Sequence, residues 1–313
     1  MIRHDVIEKI FDRVDEMSLI LVKALQVSYL DALCSACDNI VNAEVMQEID
    51  EHLKVKVFDL CKQISELEPL AEEVRKALQL AILKGLKSAN CSLDVMTPDS
   101  IAVIIGYLGE KLILDLENAA VADLSVGTGN LLTAILNTFK QTPASIYGAD
   151  TDFGLIKIAK AMADMQDYDV QFWNQSSAGA LMLEPVDLIV SDLPISSEDG
   201  KYLPYQLIEN HLHYLLPGGY AIYIIPNDLF SQPDAKAFHE RVTEMAHVQM
   251  LLQLPKSMFK EASLGKSLFV LRKKKTGMIA PRDALVVQLP PLNDPLKFQQ
   301  TLTKVDNWIK MNR

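Results

Sequence analysis

Residues 123–130 read Asp-Leu-Ser-Val-Gly-Thr-Gly-Asn, an acidic residue and two glycines at the end of an apolar segment. The segment before it, 118–122, is predicted to be a short buried strand, and 131–136 to be the helix that follows the turn. Glycine suits this turn because the backbone bends sharply and no Cβ separates it from a ligand. A second apolar strand leads to Asp150, about twenty residues further on, where a carboxylate can accept hydrogen bonds from two ribose hydroxyls. The pattern predicts an adenosine-binding site.

A third apolar strand, 186–191, ends in Asp192, Leu193 and Pro194. Ligands of open α/β sheets lie beyond the carboxyl ends of the strands, so Asp123, Asp150 and Asp192 are expected to converge there. A turn at 215–219 and an apolar strand at 220–225 add another unit of this kind. Four such units in order favour one sheet with one functional edge.

The alternation of strands and helices after residue 93 predicts an α/β fold with a doubly wound, mainly parallel sheet. Strands are expected near residues 120, 146, 170, 188, 222, 250 and 269. Residues 1 to about 90 show helical apolar spacing and little glycine, with an interruption at 66–69. We therefore expect an all-helical domain at 1–93 and a second domain at 94–313.

These motifs resemble those of class I S-adenosylmethionine-dependent methyltransferases, within the adenine-N6 DNA methylase-like group. Residues 123–130 resemble the first motif of that group, Asp150 its acidic second motif and 191–194 its catalytic motif, while Thr97-Pro98 stands where the family carries a Thr-Pro element. A helical amino-terminal region joined to this core resembles the small stand-alone proteins of Gram-positive bacteria.

The resemblance implies S-adenosylmethionine as cofactor, a Rossmann-like seven-stranded sheet and a last strand inserted antiparallel beside the sixth. The residues that it assigns to cofactor binding are Thr97, Asp123, Ser125, Gly127, Thr128, Gly129, Asn130, Asp150, Thr151 and Ser176. Catalysis is assigned to Asp192, Leu193 and Pro194, because the polar side chain and adjacent carbonyl orient the target amine. No metal ligands are expected.

The catalytic segment departs from the family pattern, in which a proline follows the polar residue and an aromatic residue ends the motif. Here Leu193 takes the proline's place and Ile195 the place of the aromatic side chain, which stacks on a flipped base. Tyr202 or Tyr205 could supply the missing aromatic side chain. Ser176 stands where an acid often binds the adenine amine of the cofactor.

Composition limits the possible partners. The formal net charge is −11, which disfavours general binding to a phosphate backbone, although Arg272 and Lys273–Lys275 form a basic run near the carboxyl terminus. Cys34 and Cys37 lie in a helical pattern and are expected to be buried free thiols, because no second pair completes a zinc site. With no signal peptide or membrane-length apolar run, we expect a cytoplasmic protein.

Two function classes follow from these patterns. One is an N-methyltransferase acting on an amine of DNA, RNA, protein or a small molecule. The other is a catalytically weak cofactor-binding scaffold or regulator that recruits a protein partner, or a second copy, through the helical domain. A Rossmann-type dehydrogenase is disfavoured by the Leu193-Pro194 strand end.

Overall fold

The structure is a computed structural model that describes residues 2–93, 95–198, 200–261 and 264–312. Its helices are α1 (His4–Leu25), α2 (Tyr29–Asn42), α3 (Glu51–Ser65), α4 (Ala71–Ser88), α5 (Asp99–Leu112), α6 (Asn130–Leu136), α7 (Phe153–Asp164), α8 (Leu203–Tyr214), α9 (Ala235–Met245) and α10 (Pro295–Asn312). Its strands are β1 (Ala120–Asp123), β2 (Ser145–Asp150), β3 (Val170–Asn174), β4 (Val186–Asp192), β5 (Ser197–Glu198), β6 (Lys201–Tyr202), β7 (Leu215–Pro226), β8 (Ala246–Gln253), β9 (Lys266–Lys273) and β10 (Leu285–Gln288).

The chain forms two compact units. The first unit comprises Met1–Val103, Val126–Thr138 and Asp150–Asn174. The second unit comprises Ile104–Ser125, Phe139–Ala149 and Gln175–Arg313. These units do not follow the predicted division into 1–93 and 94–313, because the glycine turn, α6 and α7 belong with the amino-terminal helices. As a boundary along the chain, residue 93 stays a prediction.

The first unit is built on the amphipathic helices α1 to α4. Each helix turns an apolar stripe inward, as in α1, where Ile10, Val14 and Leu21 are fully buried. Ser28 caps α2 by accepting a hydrogen bond from the N–H of Asp31. The same apolar core takes in Ile158 and Met162 of α7. The helix that follows Asp150 therefore packs on the amino-terminal helices.

The second unit carries most of the main sheet, whose order is β10-β8-β9-β7-β4-β1-β2-β3. Strands β1, β2, β4 and β7 run parallel, with Val121 paired to Ile146 on one side and to Leu188 on the other. Strand β9 lies antiparallel between β7 and β8. The α/β class, the helical amino terminus and the antiparallel insertion are confirmed.

Two details of the sheet differ from expectation. The sheet has eight strands where seven were predicted, because β10 pairs parallel with β8 at the edge, with Val287 opposite Leu252. The turn predicted at 215–219 lies inside β7, where the register against β4 shifts. Gly218, at a φ of 91°, permits this irregularity without ending the strand.

All four cysteines are free; Cys37 is buried and Cys34 is half-buried. Burial raises the pKa of the Cys34 thiol to about 12. No single helix in the described ranges has the length and apolar composition of a membrane span. Helices α1 and α2 reach that length and composition only together, and the chain bends by 115° between them.

Candidate functional site

The glycine turn and Asp150 meet in the first unit. The N–H of Gly127 donates a hydrogen bond to Oδ2 of Asp150, with a nitrogen–oxygen distance of 2.9 Å. Oδ1 of Asp150 accepts from the N–H of Asp152 at 3.0 Å. The Asp152 side chain caps α7, accepting from the N–H groups of Gly154 and Leu155. The carboxylate is thereby held at the end of β2 by backbone donors on two sides.

The turn requires glycine at two positions. Gly127 has a φ of 53° and Gly129 a φ of 76°, in the left-handed region that disfavours other residues. A Cβ on Gly127 would lie 2.7 Å from the carbonyl oxygen of Val95, and one on Gly129 would lie 3.0 Å from Cα of Ala159. Backbone conformation and close packing therefore both select glycine.

Asn130 begins α6 and points into the protein. Its side-chain amide donates to the carbonyl oxygen of Thr97 at 2.9 Å, and its Oδ1 accepts from the guanidinium of Arg75 at 2.6 Å. The side chain is only 1% exposed. Both of its polar atoms are thus engaged by the chain, and they join the Thr97 segment to the glycine turn.

Thr128 and Thr151 directly follow Gly127 and Asp150, the two residues of this hydrogen bond. The Thr128 hydroxyl is buried and has no hydrogen-bond partner among the described residues. The carbonyl oxygen of Thr151 accepts from the side-chain amide of Asn174, which also donates to the carbonyl oxygen of Asp150. Asn174 therefore braces the backbone that carries the Asp150 carboxylate.

The first unit fits the adenosine part of S-adenosylmethionine. A carboxylate offers about four acceptor positions, and hydrogen bonds from the chain occupy one on each oxygen of Asp150. Asp150 is half-buried, so the remaining positions can accept from two hydroxyls. The glycines leave the turn without side chains at the two positions of positive φ. This donor and acceptor set matches a ribose.

In the second unit, Asp123 ties two strand ends together. Its Oδ1 accepts from the N–H of Ser125 and from the hydroxyl of Ser191, each at 3.1 Å. The Ser191 hydroxyl in turn accepts from the N–H of Leu124. Asp123 is 1% exposed. Its carboxylate therefore fixes the ends of β1 and β4, and Ser191 directly precedes the segment 192–194, which is predicted to be catalytic.

Asp192 ends β4 and forms an ion pair. The Lys266 ammonium, at the start of β9, donates to its Oδ1 at 2.7 Å, with side-chain exposures of 25% for Lys266 and 13% for Asp192. The N–H of Leu193 donates to the carbonyl oxygen of Ile224, and the Leu193 side chain is buried. Pro194 is exposed, and Ile195 is 57% exposed. The segment thus presents an aliphatic side chain to solvent.

Of the two tyrosines predicted as replacements for the aromatic side chain, Tyr205 is buried and Tyr202 is half-buried. The Tyr205 ring stacks on Phe238 at a centroid distance of 4.1 Å, and its hydroxyl donates to the carbonyl oxygen of Leu229. Tyr202 packs edge-on against Tyr205. Burial raises the pKa of Tyr202 to about 12. Tyr205 is therefore a core residue of the second unit and presents no accessible ring face.

Ser176 is exposed, and its hydroxyl accepts from the N–H of Ala178 at 3.3 Å. Its neighbour Ser177 is buried and donates to the carbonyl oxygen of Leu124. Nε2 of His211 lies 2.9 Å from the Ser177 oxygen and donates to it, because that hydroxyl's proton is already used. Burial lowers the pKa of His211 to about 3, so the imidazole is a neutral structural donor.

The sequence did not predict Arg75 or Lys266 as contributors to these arrangements, and it placed Ser191 in the catalytic motif without predicting its hydrogen bonds to Asp123 and Leu124. Arg75 is 55 residues from Asn130, and Lys266 is 74 from Asp192, so no local spacing joins either pair. The hydrogen bonds of Ser191 could have been predicted, since it adjoins Asp192 on a strand next to β1. Within the described residues, no cluster of His, Cys, Asp and Glu could hold a metal ion.

Comparison with known families divides the chain in two. A family model described as N-6 DNA Methylase matches residues 87–302, and one described as YtxK N-terminal helical domain matches residues 8–86. The Bacillus subtilis (strain 168) protein YtxK is 30% identical to this chain, over 99% of both sequences.

Solved structures show the same architecture. A Listeria monocytogenes protein assigned to the class I S-adenosylmethionine-dependent methyltransferases matches with a TM-score of 0.88 at 29% identity, over 98% of this chain and 100% of that one. The methyltransferase subunit of a Streptococcus thermophilus type I restriction-modification system matches with a TM-score of 0.62 at 15% identity, over 100% of this chain and 75% of that one. The second likeness concerns the fold alone.

Proposed function

This chain belongs to the N-6 DNA methylase family, a family of S-adenosylmethionine-dependent methyltransferases, and we propose that it transfers a methyl group to an amine nitrogen. The observation that carries the proposal is the hydrogen bond between Gly127 and Asp150. It holds the Asp150 carboxylate against the glycine turn, which supports the proposal that this carboxylate binds the ribose of the cofactor. A plain structural turn would not need a half-buried carboxylate with acceptor positions to spare.

The cofactor would be held by this part of the chain. Asp150 accepts hydrogen bonds from the ribose hydroxyls, and the turn from Gly127 to Gly129 lies along the ligand. Thr97, the buried Thr128 hydroxyl, Asn130 and Thr151 are the other residues of the first unit that we propose for this role. Asp123, Ser125 and Ser176 stay predictions. When bound, S-adenosylmethionine supplies an electrophilic methyl group.

The catalytic segment orients the amine. Asp192 and the carbonyl of Leu193 accept hydrogen bonds from the two N–H groups of the amine, which directs the nitrogen lone pair toward the methyl group. The reaction would be a direct displacement, in which the nitrogen–methyl bond forms as the sulfur–methyl bond breaks, S-adenosylhomocysteine leaves and the nitrogen releases a proton to solvent. Positioning would therefore supply most of the acceleration. Oδ1 of Asp192 already accepts from Lys266, so the amine must use the carboxylate's remaining acceptor positions. Pro194 limits the backbone freedom of the segment.

The substrate is proposed from two features of the site. The family points to adenine in DNA, yet a flipped base gains less from the exposed Ile195 than from an aromatic side chain, and flipping costs a few kcal/mol. The net charge of −11 also disfavours a long duplex. We therefore propose that single-stranded nucleic acid or a non-nucleic amine is methylated better than duplex DNA.

The second candidate function is a cofactor-binding scaffold with weak catalysis. The Lys266–Asp192 ion pair favours it, because the ammonium competes with a substrate amine for the same carboxylate. A partner, or a second copy of the chain, would then bind the helical region. Val55 and Phe58, one turn apart on α3, are 56% and 46% exposed and support that part of the proposal.

A tritium-transfer screen distinguishes the candidates. Labelled S-adenosylmethionine is incubated with the intact protein and single-stranded DNA, duplex DNA, RNA or cell extract. The enzyme proposal predicts transfer that Asp192→Ala abolishes, while S-adenosylhomocysteine affinity changes less than threefold. Transfer to none of these acceptors by a protein that binds the cofactor would favour the scaffold. Efficient methylation of ordinary duplex DNA would overturn the substrate proposal.

A further inference from the structure

A buried arginine in α4, Arg75, is hydrogen-bonded to Asn130, the residue that follows the glycine turn. Arg75 is 1% exposed, and its guanidinium donates to both oxygens of Glu72, each at 2.7 Å, and to both oxygens of Asp99, each at 3.0 Å. A fifth hydrogen bond, 2.6 Å long, goes to Oδ1 of Asn130. A guanidinium has five N–H groups, and all five are used here.

The electrostatics of this cluster are strong. Burial alone would raise the pKa of the Asp99 carboxyl, but the hydrogen bonds and positive charge of Arg75 outweigh it and hold that pKa below its ordinary value. The Glu72 carboxyl has a lowered pKa for the same combination of reasons. A lysine could not replace Arg75, because a single ammonium cannot form two planar bidentate pairs and a fifth bond together.

The fifth hydrogen bond links the cluster to the cofactor-binding segments. Asn130 directly follows the glycine turn, and its amide group donates to the carbonyl oxygen of Thr97. Asp99, the other partner of Arg75, stands two residues after Thr97 in the chain. One residue of the amino-terminal helices thus holds both Thr97's segment and the turn, through contacts that lie within the first unit.

We propose that Arg75 is a positioning residue for cofactor binding, acting through Asn130 on the Gly127–Gly129 turn and on Thr97. The amino-terminal helical region is then part of the cofactor-binding apparatus and not only a docking module. This inference rests on the proposed function, since it requires that the turn binds S-adenosylmethionine.

Calorimetric titration of the full-length protein with S-adenosylhomocysteine tests the inference. Arg75→Met and Asn130→Ala should each weaken binding at least tenfold, and Arg75→Lys should not restore it. The double variant should bind no more weakly than the weaker single variant, because both substitutions break one chain of contacts. Lys76→Met is the matched control: Lys76 also pairs with Asp99, at 3.0 Å, and should leave affinity within threefold.

Circular dichroism and thermal unfolding of each variant separate lost folding from lost affinity. If Arg75→Met does not fold, Asn130→Ala decides, because it leaves the Arg75 ion pairs with Glu72 and Asp99 in place. Folded variants that bind like the parent would overturn the inference, as would additive losses in the double variant. An intact protein that fails to bind S-adenosylhomocysteine would instead overturn the proposed function, and the inference with it.

Discussion

The backbone N–H of Gly127 donates to Oδ2 of Asp150 across 2.9 Å, joining the glycine turn to the acid that ends β2. Because this contact aligns the carboxylate with the turn, it defines where a ribose would bind.

Asp150→Ala should weaken S-adenosylhomocysteine binding at least tenfold. Each hydrogen bond to a charged group contributes about 1.5–3 kcal/mol, and about 1.4 kcal/mol corresponds to a factor of ten. Calorimetry measures the change. Asp152→Ala is the control: it removes the cap of α7, costing about 1 kcal/mol of stability, and should leave affinity within threefold. Equal affinities for the parent and Asp150→Ala would place the adenosine elsewhere.

Gly127→Ala should lower the free energy of unfolding more than Gly277→Ala, a substitution at another glycine of positive φ. The left-handed φ costs roughly 1–2 kcal/mol in a residue with a Cβ, and at Gly127 that Cβ also meets the carbonyl oxygen of Val95 at 2.7 Å. Gly277 has a φ of 80° and nothing within 4 Å of its Cβ position, so Gly277→Ala shows the strain alone. Urea unfolding gives both values; equal losses would mean that the close contact relaxes at no cost.

Breaking the Lys266–Asp192 ion pair should lower the free energy of unfolding. Lys266→Met removes the charge partner of a largely buried carboxylate, which costs about 1–3 kcal/mol. The double variant Lys266→Met/Asp192→Leu should recover part of that loss, since no unbalanced charge remains. Lys236→Met is the control, because Lys236 is 92% exposed and 3.9 Å from Glu240. A double variant less stable than Lys266→Met would contradict this.

Stability should fall as the pH drops below about 6.5, in part through His211. Burial lowers the pKa of this histidine to about 3, so the unfolded chain takes up a proton that the folded chain refuses. The contribution of the neutral His211 to the free energy of unfolding is therefore fully present above the pKa of the unfolded chain. It is lost as the pH falls from about 6.5 to 3, at up to about 1.4 kcal/mol per pH unit. Between pH 7 and pH 5, the free energy of unfolding should fall less for His211→Gln than for the parent. It should fall as much for the exposed His213→Gln as for the parent. Unfolding curves at the two pH values measure these losses. Identical losses for His211→Gln and the parent would contradict this.

Local sequence patterns were sufficient to predict the central strands of the sheet. The apolar runs before Asp123, Asp150 and Asp192 predict β1, β2 and β4, because each run is continuous and ends in a polar residue. The edge strand β10 was not predicted as part of the sheet. Its pairing with β8 depends on a contact between residues 35 apart, such as Leu285 and Met250, which no local period encodes.

In the candidate site, too, contacts that follow from local spacing could be predicted, and contacts that depend on packing between distant segments could not. The local spacing of Gly127 and Asp150 predicts that they lie together, and a hydrogen bond joins them. Their roles in cofactor binding stay predictions. Arg75 sits in an ordinary helical pattern, where an arginine is usually solvated. Its burial follows from the packing of α4 beside α6, and that packing could not be derived from the sequence of either helix.

Calorimetric titration of the intact protein with S-adenosylmethionine and S-adenosylhomocysteine measures whether the chain binds this cofactor through Asp150. The account predicts saturable binding of each compound with one molecule per chain, weakened at least tenfold by Asp150→Ala and retained by Asp152→Ala. A folded parent protein that binds neither compound, or that binds both as well after Asp150→Ala, would contradict it.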